Sequence, residues 1–330
     1  MTTLVIGKFM PLHRGHLALI DFALTQADRV IVLLCVEAEE PISGEDRERW
    51  LRQTFDDHPA ITVRRFDFRE ADLPATSVSD RAISELWTAR LKQLVPEADM
   101  IVGSEAYVRY VAEFWGIGHR VFDVDRAAVP VSATMIREKP YVYRNYLAPA
   151  TRPDFVQRIV LHGTESTGKS TLTKRLAEEF KTVYVPETAR EIVGHTDNVV
   201  FEDLLRIADR QAKAIQSAIP QADGVLFIDT DAYTTLAYGR LLFNRELPLR
   251  AEWLAAAQND FCLFTESDAP FVQDGTRLPP PEREELARAH WRARKESGVL
   301  TVRVSGVDWQ KRTDAAVATV KNFLEKGLVP

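Results

Sequence analysis

The stretch Gly163-Thr164-Glu165-Ser166-Thr167-Gly168-Lys169-Ser170-Thr171 decides how this chain is read. Two glycines enclose four residues, and Lys then Ser follow, which is the spacing of a loop that cradles phosphates. Before it, Ile159-Val160-Leu161 reads as a short buried strand. After it, Leu172, Leu176 and Phe180 recur at helical spacing. A strand, a Gly-rich turn and a helix start gather backbone N–H groups and the positive end of a helix dipole around one anion. Gly163, Glu165, Ser166, Thr167, Gly168 and Thr171 are the expected nucleotide-binding positions. Lys169 is expected to reach the β- and γ-phosphates, and Ser170 to offer its hydroxyl to Mg²⁺. The implied ligand is a nucleoside triphosphate such as ATP.

At 330 residues the chain is too long for one typical core, so two domains are expected, 1–149 and 150–330. Hydrophobic residues make up 45% and charged residues 27%, an ordinary globular balance. A net charge of −6 argues against a broad nucleic-acid-binding face, which must neutralise phosphates. Cys35 and Cys262 both lie in apolar runs and read as small core residues, with neither a disulfide framework nor a thiolate zinc site. The N-terminus enters a strand at once, and no apolar run is long enough to span a membrane. A cytoplasmic location without membrane partners is the expectation. A homo-oligomer is compatible with the sequence, which does not specify the oligomeric state.

Ahead of the phosphate loop, residues 3–6 form a short expected strand, followed by Gly7-Lys8-Phe9-Met10-Pro11-Leu12-His13-Arg14-Gly15-His16. Leu17, Ile20 and Leu24 then recur at helical spacing. His13 and His16, three residues apart at a helix start, fall on one side of it. With Lys8 and the helix terminus they suit stabilisation of charge on a phosphate during displacement at a neighbouring phosphorus. A His-x-x-His pair also suits zinc, but no further His or Cys lies near, and zinc sites want three or four ligands. The full string, with Gly7, Phe9, Pro11, His13, Gly15 and His16 filled, resembles the signature of the nucleotidylyltransferase superfamily. That resemblance implies transfer of AMP or CMP from a triphosphate with release of pyrophosphate.

Strands are expected at 30–36, 61–66, 100–102 and 121–124, and helices at 45–55 and 83–94, with Trp87 on the apolar side of the latter. Gly103 and Ser104 follow a strand end and are candidate walls of the nucleotide site. The heptad Val131-Ser132-Ala133-Thr134-Met135-Ile136-Arg137 resembles the second signature of the same superfamily. Ser132 is expected to cap a helix and, with Thr134, to donate to phosphate oxygens. Arg137 suits bidentate pairing with the β- and γ-phosphates. Read alone, Ser-x-Thr-x-x-Arg is a capped helix start; its place behind a run of βα units after the His motif is what raises it.

Residues 141–154 read as an ordered connector, placing the domain boundary near Ala150. Beyond the phosphate loop, a strand at 183–185 leads to Glu187, where a carboxylate can take a proton from a substrate hydroxyl. A helix-start glutamate fits that spacing equally well. The apolar run 225–228 ends at Asp229, the position of a strand-end acid that holds Mg²⁺ in phosphate-loop enzymes. Asp231 is expected to share that role or to hold a substrate hydroxyl. Arg277, on an irregular segment at 271–281, fits the arginine that a kinase lid supplies, with an ordinary surface loop as the alternative.

Nearly end to end, the chain resembles the bifunctional NadR family, nicotinamide-nucleotide adenylyltransferase joined to ribosylnicotinamide kinase. The residues that carry this are 7–16, 132–137, 137–158 and 163–171, then Glu187 with Arg190, residues 227–235, and Asp274-Gly275 with Arg277. The resemblance implies an α/β fold with two parallel sheets, a Rossmann-like nucleotidylyltransferase followed by a P-loop kinase. It implies phosphorylation of nicotinamide riboside to NMN by ATP, with Glu187, Arg190 and Asp231 at the riboside. Adenylyl transfer to NMN then gives NAD and pyrophosphate. Trp87 and Trp115 are candidates to stack on the nicotinamide ring or are core residues. Some members carry an N-terminal helix-turn-helix domain and repress transcription; this chain starts at the first transferase strand, so no DNA binding is expected. A kinase and nucleotidylyltransferase of another cofactor pathway, such as a pantetheine or flavin route, stays open, as does a nucleotide-sensing regulator with little turnover.

Overall fold

A computed structural model describes residues 1–74, 80–193, 199–268 and 280–326, with the side chains of Arg190 and 280–283 left aside. The chain divides into two compact units, Met1–Glu138 with Tyr143–Arg152, and Lys139–Val142 with Pro153–Pro330. Among the described residues no helix is long and apolar enough to cross a membrane.

In the first unit the order is β1 (Thr2–Gly7), α1 (Arg14–Leu24), β2 (Arg29–Glu37), α2 (Gly44–Phe55), β3 (Ile61–Phe68), α3 (Arg81–Leu94), β4 (Met100–Gly103), α4 (Tyr107–Trp115), β5 (Gly118–Val121) and α5 (Ala133–Glu138). Near-continuous apolar runs such as Val30–Val36 are what strands covered on both faces require. The strands pair in parallel in the order β3-β2-β1-β4-β5. Leu4 pairs with Ile31 on one side and Ile101 on the other. Leu4, Ile31, Leu33, Phe66 and Ile101 pack with Leu91 of α3 and Val108 and Val111 of α4.

The second unit takes all of α6 (Pro140–Tyr143) but its last residue and continues through β6 (Gln157–His162), α7 (Lys169–Glu179), β7 (Tyr184–Val185), α8 (Phe201–Ala218), β8 (Val225–Asp229) and α9 (Ala232–Phe243). It ends with α10 (Ala251–Ala256), β9 (Phe261–Thr265), α11 (Pro280–Glu296), β10 (Thr301–Val304) and α12 (Trp309–Lys326). Its parallel sheet has the order β10-β9-β6-β8-β7. Alternation along the strands divides the core. Val160, Leu226, Ile228 and Cys262 face residues of α8, α9 and α10. Ile159, Leu161, Phe227 and Leu263 face those of α7 and α12.

Two parallel sheets in a Rossmann-like and a P-loop arrangement are the expected fold class. One strand is displaced from its expected place. Of the expected strand 121–124 only Val121 is in β5, which begins three residues earlier and carries the polar pair His119-Arg120. An edge strand bonded only to β4 is half-exposed and needs no apolar run, so composition pointed past it.

Gly168 caps α7 at φ +79°, and a Cβ there would lie 2.4 Å from the Trp309 ring. Both the left-handed backbone and the ring leave room only for glycine. Gly168→Ala is therefore expected to destabilise the second unit by about 1–3 kcal/mol, seen as a lower midpoint of its urea transition.

Candidate active sites

In the first unit, β1 and β4 are neighbours, so Gly7 and the turn at Gly103 and Ser104 leave the same edge of the sheet. The loop after Gly7 buries Phe9 and Leu12 and thereby fixes the start of α1. His13 is the N-cap: its Nδ1 accepts the Gly15 N–H at 3.1 Å. His16 Nδ1 accepts the His13 N–H at 3.3 Å, so the two imidazoles close a reciprocal capping box. Their rings stack at 3.8 Å, and Phe9 meets His16 edge-on at 5.0 Å. Gly15 permits this, because a Cβ there would lie 2.9 Å from the His13 ring.

With Nδ1 accepting in each ring, the neutral imidazoles carry their protons on Nε2. Burial, then the charge of Arg126, lowers the His13 pKa from 6.5 to about 4. Burial, then His13 itself, holds His16 well below its usual value. The site therefore presents two neutral N–H donors at a helix start whose first turn holds no acidic residue. That is an arrangement for a phosphate oxygen.

Ser132 caps α5 as expected, its Oγ accepting the Met135 N–H at 3.2 Å. Arg137 donates to the Met10 carbonyl of the His loop, and to Thr134 Oγ1 at 3.2 Å. The two sequence motifs are thus brought together. Lys8 is ion-paired with Glu40 at 2.7 Å, and Arg47 holds the other Glu40 oxygen at 2.7 Å. Arg47 is fully buried and also donates to the Lys8 carbonyl at 3.0 Å. Glu40 and Arg47 were not legible as site residues, since their partners lie a whole βα unit away in sequence. Beside them a cavity of about 560 Å³, lined by Glu37, Glu40, Ser43, Arg65 and Asp67, opens beyond β2 and β3.

In the second unit no side chain among the described residues caps α7, which leaves its first N–H groups for phosphate oxygens. Thr167 Oγ1 donates to the Thr164 carbonyl at 2.8 Å and meets Thr265 Oγ1 at 2.7 Å. Lys169 Nζ folds back on the Thr164 carbonyl at 2.8 Å. Glu165 accepts from Tyr238 Oη at 3.0 Å. Burial first, then the charges of Glu165 and Glu187, push the Tyr238 phenol well above its usual pKa. Ser170 and Thr171 lie exposed on the first turn of α7. Asp229 is buried at the end of β8, in register with Leu161, two residues before Gly163. Glu187 follows β7, the strand beside β8.

Several expectations change. Asp231 does not face a substrate hydroxyl. Its side chain has no exposed surface, and both oxygens accept from Arg294 at 2.6 and 2.7 Å. Asn259 donates to it at 2.8 Å and the Tyr233 N–H at 3.0 Å, so its capacity is spent on structure. Arg294 also donates to His162 Nδ1 at 2.9 Å, and His162 Nε2 meets His290 Nδ1 at 2.9 Å. Trp115 closes α4 and immediately precedes β5, at the opposite end of the sheet from the histidines, so it cannot stack there on a bound ligand. Trp87 packs edge-on against Phe66 and Phe68, and its Nε1–H donates to the Pro74 carbonyl at 3.0 Å. That ring is half-buried and packs against the core of the first unit. Arg277, with Asp274 and Gly275, lies outside the described residues, as does the Arg190 side chain.

Fold and sites define a two-domain phosphate-transfer protein, a nucleotidyltransferase-like domain followed by a P-loop kinase-like domain. Residues 4–139 match the cytidylyltransferase-like family and residues 158–312 the AAA domain family. The trifunctional NAD biosynthesis/regulator protein NadR of Escherichia coli (strain K12) is 30% identical over 97% of this chain and 82% of its own length. The chain belongs to the NadR family. A crystal structure of NadR protein in complex with NAD and AMP-PNP superposes with a TM-score of 0.78 at 25% identity, covering 100% of this chain and 97% of that one. One in complex with NR gives 0.79 at the same identity and coverage.

Two stability predictions follow from these geometries. An unfolded His13 takes its proton at 6.5 and the folded one only at about 4. The unfolded state thus binds more protons between those values, and stability falls as pH falls through them. The first unit should lose about 2 kcal/mol more between pH 7 and 5 than the His13→Gln variant does, read from urea unfolding. Arg294→Met leaves Asp231 buried and unpaired, an expected loss of about 3–5 kcal/mol; adding Asp231→Asn, which keeps the cap, should recover most of it.

Proposed function

We propose that the chain is a bifunctional enzyme of NAD biosynthesis, phosphorylating nicotinamide riboside with ATP and adenylylating the resulting NMN with a second ATP. The observation that carries this reading is the occurrence, in one NadR-family chain, of two chemically different phosphate sites at helix starts. One is a neutral histidine pair, the other a lysine-bearing glycine loop. Whole-length likeness to NadR structures with NAD and AMP-PNP, or with NR, supports the substrates. ATP drawn by both reactions supports a cytoplasmic location.

In the kinase unit, the riboside 5′-oxygen attacks the γ-phosphorus and ADP departs. Glu187 takes the hydroxyl proton; with Asp231 committed to Arg294, it is the better placed acid. Lys169, released from the Thr164 carbonyl, and Arg277 meet the charge on the transferred group. Ser170 and the buried Asp229 carboxylate form an oxygen donor set suited to Mg²⁺. When bound, the ion neutralises phosphate charge.

In the first unit, a phosphate oxygen of NMN attacks the α-phosphorus of ATP in line, giving NAD and pyrophosphate without a covalent enzyme intermediate. His13 and His16 donate from Nε2, and α1 adds the positive end of its dipole. Ser132, Thr134 and Arg137 hold the outer phosphates from beside the His loop. Gly103 and Ser104 wall the nucleotide.

Purified chain incubated with nicotinamide riboside, ATP and Mg²⁺ should yield NMN and ADP, then NAD and pyrophosphate. Lys169→Ala should slow the first step about 10²–10³-fold and spare adenylylation of supplied NMN, with His16→Ala doing the reverse. Phosphorylation of riboflavin or pantetheine in place of the riboside would contradict the substrate. Loss of both steps in either variant would contradict two separate sites.

A further inference from the structure

We propose that Gln211 is the positioning residue that sets the spacing of the two kinase carboxylates, Glu187 and Asp229. The proposal rests on the kinase reading given above. Gln211 sits where an apolar side chain is expected. It lies on the buried stripe of α8 with Leu204, Ile207, Ala208, Ala212 and Ile215, and only 3% of its surface is exposed. Burying an amide there is costly unless every polar atom finds a partner. It finds three. Oε1 accepts the Thr188 N–H at 3.0 Å, and Nε2 donates to the carbonyls of Asp229 and Thr230 at 3.1 Å each.

Those partners belong to two strand ends. Strands β7 and β8 are parallel neighbours, paired at Tyr184 with Phe227 and Val185 with Ile228, and there the ladder stops. Glu187 lies two residues beyond it on one side and Asp229 one residue beyond on the other. No ladder bond then fixes how far the two carboxylates stand apart. The Gln211 amide does so, with its acceptor on the Glu187 side and its donors on the Asp229 side. The Asp229 side is also strained: Thr230 adopts φ +72°, in the left-handed region. Such a conformation costs about 1–3 kcal/mol and persists only where surrounding contacts hold it. The bond from Nε2 to the Thr230 carbonyl is one such contact; the Thr230 N–H on Leu161 at 3.3 Å is another.

Only an amide fits this role. Glutamate has the same shape but no donor for two carbonyls, and methionine has similar length with neither group. Gln211 touches no reacting atom, so its removal acts through Glu187 and Asp229. A misplacement near 1 Å at such groups costs of the order of 10²-fold.

The test compares Gln211→Met and Gln211→Glu with Ile207→Ala, a control on the same helix face that contacts neither strand end through hydrogen bonds. Three quantities are followed: melting temperature, the pH profile of kcat for mononucleotide formation with KM for ATP, and adenylylation of supplied NMN. Both Gln211 variants are expected to lose roughly 10–100-fold in kcat, with the acid limb displaced. Adenylylation should stay near that of the parent, and KM for ATP should change less than kcat. Ile207→Ala should melt earlier yet keep the limb in place. Should Gln211→Met not fold, as loss of adenylylation or melting would reveal, Gln211→Glu alone decides. A folded variant with parental kcat and acid limb overturns the proposal. So does a rate loss that merely tracks melting as in Ile207→Ala. If the parent chain itself forms no mononucleotide, the kinase reading falls and this proposal falls with it.

Discussion

In a sheet whose strands all run one way, each strand can be followed by the next only after a crossover, here mostly a helix that returns along a face. Every loop leaving a strand therefore emerges at one edge, and every following helix presents its N-terminus there. Both units obey this constraint. In the first it brings Gly7, Gly103 and the start of α1 to one edge. In the second it does the same for Gly163, Glu187, Asp229 and the start of α7. Phosphate sites suit these edges because the positive ends of helix dipoles are already gathered there. What side chains add is selectivity among phosphates and a place for the proton.

Beneath the second edge lies an ion pair wholly out of water. Burial alone would pull the Arg294 pKa down, but the Asp231 charge and its hydrogen bonds more than offset this. Such a pair adds little net stability over an apolar one of equal volume, and breaking it is what costs. Its effect here is geometric. Asp231 caps α9, Arg294 ties α11 to that cap, and the same guanidinium anchors His162, the last residue before the phosphate loop. Because Arg294 donates to Nδ1, His162 must donate from Nε2 to His290. Burial, then Arg294, holds the His162 pKa well below normal, and burial, then Lys169, does so for His290. A directional chain of neutral rings under a phosphate site gives rigidity without placing another cation beneath Lys169.

How much of this was legible follows from sequence separation. The His loop, the Ser-x-Thr-x-x-Arg turn and the glycine loop are contiguous, and each carries its spacing, its cap and its helix on one short stretch. The long apolar strands were legible because covered parallel strands leave no other pattern. Side chains whose meaning depends on a distant partner were not. Arg294 reads as one more charge on a charged, mostly solvated helix, yet it meets Asp231 and His162 far back in the chain. Arg47 looks like a solvated helix arginine, yet it is fully buried against Glu40 and the Lys8 carbonyl. Asp231 misled in the opposite sense. An acid at a strand end suggests chemistry, and only the arginine across the fold shows that it is structural. β5 escaped because an edge strand lacks the apolar run that marks a central one.

In the proposed reactions the two sites also differ in the charge they offer to phosphate. In the first unit the obvious cation, Lys8, is already balanced by Glu40, and Arg47 is spent on the same carboxylate. The donors left at the start of α1 are uncharged imidazoles. Neutral donors hold a ground-state polyphosphate less strongly than ammonium groups do. In the proposed adenylyl transfer, negative charge accumulating on a nearby phosphate would polarise both neutral rings and strengthen their Nε2–H dipoles. In that proposed role their stabilisation would grow with the charge that needs it, which raises a rate without raising affinity for substrate or product. Burial of His13 and His16 is the physical source of that property, since it removes the resting charge. In that reading the stacked, reciprocally capped pair is a set of neutral donors and not a cationic clamp.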